Sequence, residues 1–284
     1  MTETLVQAWT RARRRLEAAG IDGPVLDARL LVEAAAGASR SDILTDPHRA
    51  LSAEQVQTLD SYLDRRIARE PVSHILGRKG FWTIELKVTP DVLTPRPDTE
   101  TIVGAVLKCL KEDGAADILD LGSGSGAILL AILSERLMAH GVGVDVSAAA
   151  IEVARENAAL LGLQDRAAFL HASWTEGQPD DAFDIVVSNP PYIPTGDIAG
   201  LEPEVAEREP RLALDGGADG LDAYRLLAPE VLRVLKPGGL FALEIGHDQG
   251  AAVKAMMTQA GGAAVQVLGD LGGRDRAIFG RKPG

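Results

Sequence analysis

The run Ser188-Asn189-Pro190-Pro191-Tyr192-Ile193-Pro194 follows the apolar stretch Phe183 to Val187, and its residue types could hold a planar group that carries an NH2. The two prolines lack N–H groups and keep the backbone extended. Carbonyl oxygens are thereby left to face a ligand. Asn189 adds a side-chain acceptor, and Tyr192 adds a flat apolar face. Acceptors beside a flat face suit methyl transfer to an amide or nucleobase nitrogen. A Pro-Pro pair alone more often just ends a strand. The combination Asn-Pro-Pro-Tyr, at the carboxyl end of a strand and in a chain with a nucleotide-type glycine loop, points to the chemistry instead.

That loop is Gly122-Ser123-Gly124-Ser125-Gly126, after the strand pattern Ile118-Leu119-Asp120-Leu121 and before the apolar helical stretch at 127–137. The glycines allow a tight turn and close approach to a ligand, and the helix start is expected to present free N–H groups. The spacing G-x-G-x-G is not the G-x-G-x-x-G dinucleotide fingerprint. Glycine loops alone occur in dehydrogenases, methyltransferases and ordinary turns. Asp145 strengthens the pattern: it closes a second strand, Gly141-Val142-Gly143-Val144, about 20 residues after the loop, where an acid accepts ribose hydroxyls. Ser147 is the expected N-cap of the helix that follows, so Asp145 is not needed there.

Around these residues the chain divides into regions. In residues 1–75, Leu5, Trp9, Ala12 and Leu16 recur at helical spacing, and Pro24 opens a segment with Leu26, Leu30, Leu31 and Ala34 on one face. Ser52-Ala53-Glu54-Gln55 has the capping-box form, and Pro71 ends that third helix. This predicts a helical substrate-recognition domain over 1–75. A hairpin and linker over 76–97 would follow, with Pro90, Pro95 and Pro97 breaking regular structure. Residues 98–284 then form the catalytic domain. Apolar runs at 117–121, 142–146, 167–170, 183–188, 239–245, 264–268 and 276–280, mostly separated by helical stretches, predict an α/β fold with a mostly parallel sheet. The last two runs have no helix between them and read as an antiparallel hairpin. There is no internal repeat and no low-complexity segment.

Composition narrows the classes. Of 284 residues, 46% are hydrophobic and 25% charged, as in a globular protein with a proper core. The net charge of −12 is uneven: residues 1–94 hold 13 Lys/Arg and 13 Asp/Glu, and residues 95–284 hold 16 and 28. That balance argues against a grip on duplex DNA, which needs a basic face. Glu202, Glu204, Glu207 and Glu209 read as a solvated surface, or as a dock for a basic partner. The single cysteine, Cys109, lies in an apolar helical stretch and reads as a packed thiol. The five histidines show no metal-like spacing, so no metal is expected. No run approaches a membrane span and no signal sequence is evident, so a cytoplasmic location is expected.

Taken together, Leu119-Asp120-Leu121 with the glycine loop, Asp145, Asn189-Pro190-Pro191-Tyr192 and the run Pro95-Arg96-Pro97-Asp98-Thr99-Glu100 resemble the HemK/PrmC family of release-factor glutamine methyltransferases. The resemblance spans essentially the whole length, Phe81-Trp82 included. It implies a class I S-adenosylmethionine-dependent fold, Rossmann-like with a seven-stranded sheet, and S-adenosylhomocysteine as product. It also implies methylation of the glutamine side chain (N5) in the Gly-Gly-Gln loop of class I peptide chain release factors. By position, Gly122, Ser123, Gly124, Ser125, Gly126, Asp145, Trp174 and Asn189 would contact the cofactor. Asn189, Pro190, Pro191 and Tyr192 would contact the glutamine, with Asn189, Pro190 and Tyr192 acting in catalysis. Glu100 would either meet the cofactor's amino group or simply occupy the first turn of a helix, where acids are favoured. Ser173 departs from many relatives, which carry an acid before the tryptophan. A monomer is expected, with no stable nucleic-acid binding and no membrane. Three other readings use the same motifs: a glutamine methylase of a ribosomal protein, a DNA or RNA adenine amino-methyltransferase, and a non-catalytic nucleotide-binding regulator.

Overall fold

In the computed structural model, residues 2–284 are described, and the chain forms two compact units. The first comprises residues up to Gly77 together with Glu202–Arg208. Its helices are α1 (Leu5–Ala18), α2 (Pro24–Ala36), α3 (Arg40–Thr45), α4 (Ala53–Ile67) and α5 (Val72–Leu76). The capping box forms as expected: the Ser52 hydroxyl accepts from the Gln55 N–H at 3.2 Å, and the Gln55 side chain accepts from the Ser52 N–H at 2.9 Å. The α2 face is rotated from the expected one. Ala28, Leu31, Val32 and Ala35 are buried, while Leu26 is 51% exposed. A helix apolar nearly all round does not fix its own phase; here the small alanines Ala28 and Ala35 take the inward positions.

The acidic run is not the solvated surface expected. Glu204 is buried in the first unit and accepts from Arg66 at 2.6 Å, and the same guanidinium donates to Asp27 at 2.7 Å. Buried Glu209 accepts from Arg96 at 2.6 Å in the second unit. Only Glu202 and Glu207 of the four are exposed. A buried carboxylate must find a cation, which is why alternate acids of this run turn inward.

The second unit begins with the hairpin β1 (Arg78–Phe81) and β2 (Ile84–Lys87), followed by α6 (Glu100–Cys109). Then come β3 (Asp117–Leu121), α7 (Ala127–Glu135), β4 (His140–Asp145), α8 (Ala148–Leu160), β5 (Ala167–His171) and β6 (Phe183–Ser188). The short helix of the returning segment is α9 (Pro203–Ala206). The chain closes with α10 (Asp222–Val234), β7 (Leu235–Glu244), α11 (Gly250–Gln259), β8 (Ala263–Gly269) and β9 (Asp275–Arg281). Phe81 and Leu86 of the hairpin are buried in one core with α6 and α7, so the hairpin packs as part of this unit. Cys109 corrects a reading: it ends α6 and is exposed, because the apolar stripe runs through Ile102, Val103 and Val106 instead.

The sheet order is β5-β4-β3-β6-β7-β9-β8, and β9 alone runs antiparallel to its neighbours. Helices α6, α7 and α8 cover one face, and α10 and α11 cover the other. Between β3 and β6 the direction of strand progression reverses, which opens a crevice at their carboxyl ends, where open α/β sheets bind ligands. Leu121 lies opposite Ser188 in that pairing. The glycine loop and Asn189 therefore emerge side by side. No helix among the described residues is long and apolar enough to cross a membrane.

Candidate active site

The glycine loop holds its shape with its own amides. Gly122 and Ser123 donate to the Val144 carbonyl, Gly124 to the Asp145 carboxylate at 2.9 Å, and Gly126 to the Ser123 carbonyl. Four of the five loop N–H groups are thus engaged internally, in contrast to the free donors expected from a phosphate-type loop. Gly122, Gly124 and Gly126 all have positive φ, and a Cβ on Gly124 would enter open space. Gly126 differs from the other two: a Cβ there would meet Phe169 and Leu130 at 3.0 Å, so it serves packing under α7.

Asp145 fixes the second wall. Its Oδ1 accepts from the Ser147 N–H at 2.8 Å, and its Oδ2 from Gly124. Each carboxylate oxygen retains a free lone pair for a ligand hydroxyl. The Ser147 hydroxyl caps α8 by accepting from Ala150, as the sequence predicts. Trp174, at φ +46, stands over Gly122, with ring carbon Cζ3 3.6 Å from where a Gly122 Cβ would be.

These groups share one cavity of about 260 Å³ with Asn189 and Pro191. Its lining includes Gly122, Ser123, Gly124, Ser125, Asp145, Ser173, Trp174 and Thr99. Four residues expected at the site are absent from this lining. Gly126 lies behind the loop. Glu100 accepts from the Trp82 N–H at 2.9 Å and borders a separate groove beside the β8–β9 turn. Pro190 is buried, and neither it nor Tyr192 lines the cavity. The Tyr192 hydroxyl instead donates to Glu244 at 3.1 Å. Among the described residues no backbone N–H donates to the Pro190 carbonyl, as expected, but the Tyr192 carbonyl accepts from the Gln249 side chain at 2.9 Å.

Sequence reading missed several supports because they arrive from distant elements. Asn157, fully buried on α8, donates to the Ser125 carbonyl at 2.9 Å and to the Lys87 carbonyl at 3.1 Å, and accepts from the Lys87 N–H at 2.7 Å. It ties β2 to the glycine loop. Gly220 passes so close that a Cβ would stand 2.3 Å from the Tyr192 carbonyl oxygen. Asn189 Nδ2 donates to the Thr99 hydroxyl at 3.2 Å, which leaves Oδ1 as the amide atom able to meet a ligand. An acid in an otherwise apolar strand was the one available signal for Asp120. It is 1% exposed, and burial pushes its carboxyl up to about 7, with the Leu129 N–H holding it back and the Asp145 charge adding to the rise. Burial likewise pushes Glu244 up to about 7 and raises Tyr192, whose hydroxyl faces that carboxylate.

Two buried oxygens near the loop, Asp120 Oδ1 and Ser123 Oγ, have no protein partner, and Ser123 is the one of the two that lines the cavity. With the spent amides, this describes a pocket for a hydroxyl- and amine-bearing ligand, without the array of free donors that a pyrophosphate needs. The fold and the pocket together define an S-adenosylmethionine-dependent methyltransferase, and residues 97–266 match the family model "Methyltransferase domain". Residues 7–77 match the "PrmC N-terminal domain". A release factor glutamine methyltransferase of Caulobacter vibrioides is 62% identical over 99% of this chain and 98% of its own length. One from Rhodospirillum rubrum is 46% identical over 96% of this chain and 83% of its own. The chain belongs to the release factor glutamine methyltransferase family. A methyltransferase structure from Pyrococcus furiosus, 17% identical, superposes with a TM-score of 0.52 over 79% of this chain and 99% of its own, and shares the fold alone.

Proposed function

We propose that this protein transfers a methyl group to the side-chain amide nitrogen (N5) of the glutamine in the Gly-Gly-Gln motif of class I peptide chain release factors. The observation that carries this is the meeting of Asn189, its Nδ2 already engaged by Thr99, with the glycine loop and Asp145 around one cavity. When bound, S-adenosylmethionine supplies an electrophilic methyl carbon. Asp145 would hold its ribose hydroxyls, the loop from Gly122 to Ser125 its amino-acid end, and Trp174 and Ser173 its adenine side.

An amide nitrogen is a weak nucleophile because its lone pair is delocalised into the carbonyl. Asn189 Oδ1 and the Pro190 carbonyl would accept its two N–H bonds, which holds the nitrogen in place and stabilises the positive charge that grows on it. Pro191 and Tyr192 keep those acceptors rigid. As the new N–C bond forms, the sulfonium–methyl bond would break and leave S-adenosylhomocysteine, so the positive charge passes to the nitrogen. The nitrogen gives up one proton to solvent as the product leaves, and no dedicated base is needed. Much of the acceleration comes from proximity. Trp174 and the Pro-rich wall exclude water from the reacting nitrogen.

The helical first unit is the substrate-recognition part in this reading, and the protein works as a monomer. Labelled methyl groups should pass to purified release factor and not to its Gln→Ala variant, a ribosomal protein or DNA. Label on the ribosomal protein or on DNA, with none on the release factor, would overturn the assignment.

A further inference from the structure

Thr99 ends the 3-10 turn Pro97–Thr99 and is 4% exposed. Its hydroxyl oxygen accepts from Asn189 Nδ2, so its own proton needs another acceptor. Glu244, at the carboxyl end of β7 and 1% exposed, needs a further donor: Oε1 accepts from Tyr192, and Oε2 is buried with no partner. Leu243 lies opposite Ser188 in the β6–β7 pairing, so Glu244 and Asn189, the Thr99 partner, follow at the ends of neighbouring strands. The Thr99 hydroxyl lowers the Glu244 pKa. The two needs are complementary.

We propose that Thr99 and Glu244 are positioning residues that set the orientation of the Asn189 amide for methyl transfer. A carboxylate can only accept. It therefore takes the Thr99 proton, which obliges Thr99 to accept from Asn189 and turns Asn189 Oδ1 toward the substrate. A hydrogen-bond donor in place of Glu244 reverses the relay. Thr99 would then accept from that donor and give its proton to Asn189 Oδ1, and the Asn189 NH2 would face the substrate NH2, donor against donor. The same carboxylate holds the Tyr192 hydroxyl, so one buried acid fixes both polar ends of the motif. The inference rests on the proposed glutamine chemistry at Asn189.

The charged and titratable groups facing Glu244 are few. Arg276, on β9, lowers its pKa and Asp98 raises it; Tyr192 donates to its carboxylate, and Tyr224 donates to its backbone carbonyl at 2.7 Å. Burial wins, and the carboxyl is pushed up to about 7. Turnover should therefore fall as pH drops through that value, because protonated Glu244 becomes a donor.

Three variants test this with purified full-length protein and release factor. Thr99→Val should lower kcat about tenfold to a hundredfold, the cost of a slightly misplaced group, with KM for the release factor within about threefold. Thr99→Ser should recover most of that loss. Glu244→Gln should be equally slow and should lose the acid limb of the kcat profile. Full kcat in Thr99→Val, no recovery in Thr99→Ser, or an unchanged acid limb in Glu244→Gln would each overturn the proposal. The Asn189 side-chain amide signals, followed by NMR without substrate, separate this from the substrate assignment. Slow hydrogen exchange in the wild type that becomes fast in Thr99→Val supports the relay even if the methyl acceptor proves to be another protein; equal exchange sinks it.

Discussion

The two halves of the crevice are built differently. At the end of β3, the glycine loop is shaped by N–H bonds to Val144 and Asp145, near neighbours across one strand pair. At the end of β6, Asn189-Pro190-Pro191-Tyr192 is held by Thr99, Gly220, Glu244 and Gln249, drawn from three separate parts of the second unit. These are the turn before α6, the loop before α10 and the β7–α11 connection. The first half is a local motif that folds with its own strands. The second is an assembled site, and its geometry depends on residues with no short-range relation to it. Changes at the two ends should therefore separate cofactor binding from turnover.

The largest effect is expected at Asn189. Replacing it with alanine removes an oriented acceptor, which is worth about 100–1,000-fold in rate, while the loop and Asp145 stay intact. Asn189→Ala should thus lose kcat by that factor with only a moderate change in cofactor affinity, measured by calorimetry alongside methyl transfer. A collapse of cofactor affinity with kcat retained would erase the distinction between the halves. Asp145→Ala is the mirror image. A hydrogen bond to a charged group is worth about 1.5–3 kcal/mol, and its loss also leaves the Gly124 N–H unpaired. The cofactor Kd should rise roughly tenfold to over a hundredfold. An unchanged Kd would remove Asp145 from the ribose.

The legibility of the sequence follows the same division. The strand alternation, the glycine loop, Asp145 and the Ser147 cap could all be read because each is defined by spacing within a few residues. All seven strands could be located, including the final antiparallel hairpin, but not their order in the sheet. Asn189 and its prolines were visible as a chemical oddity, but their supports were not. Thr99 looks like any helix-start threonine, and Glu244 like any acid near the end of a strand. Glu204, Glu209 and Cys109 were misread for a related reason. Periodicity says which positions share a face, but not whether a distant arginine waits for the acid or where a helix's apolar stripe ends. Arg66 meets Glu204 across 138 positions, a separation that no local pattern encodes.

Gly220 tests the assembled half from a distance. It sits at φ +75 with the Tyr192 carbonyl in the space of its missing Cβ. Left-handed backbone alone costs an alanine about 1–2 kcal/mol, and the carbonyl must also shift. Gly220→Ala should lower the stability measured by urea denaturation by at least about that much and reduce kcat, yet leave the cofactor Kd near the wild-type value. A variant with impaired cofactor binding and normal kcat would show that the two ends are not independent.

The smallest effect is expected at Ser147, and it is the most discriminating for the local half. Its hydroxyl caps α8, whereas its backbone N–H, which alanine keeps, donates to Asp145. Ser147→Ala should therefore lower stability by about 1 kcal/mol, typical of a lost N-cap, with the cofactor Kd unchanged within about twofold. The two measurements, urea midpoint and calorimetric Kd, respond to different atoms of one residue. If affinity falls as much as stability, the start of α8 moves with its cap and carries Asp145 along. The glycine-loop end would then depend on helix integrity as the Asn189 end depends on its distant partners.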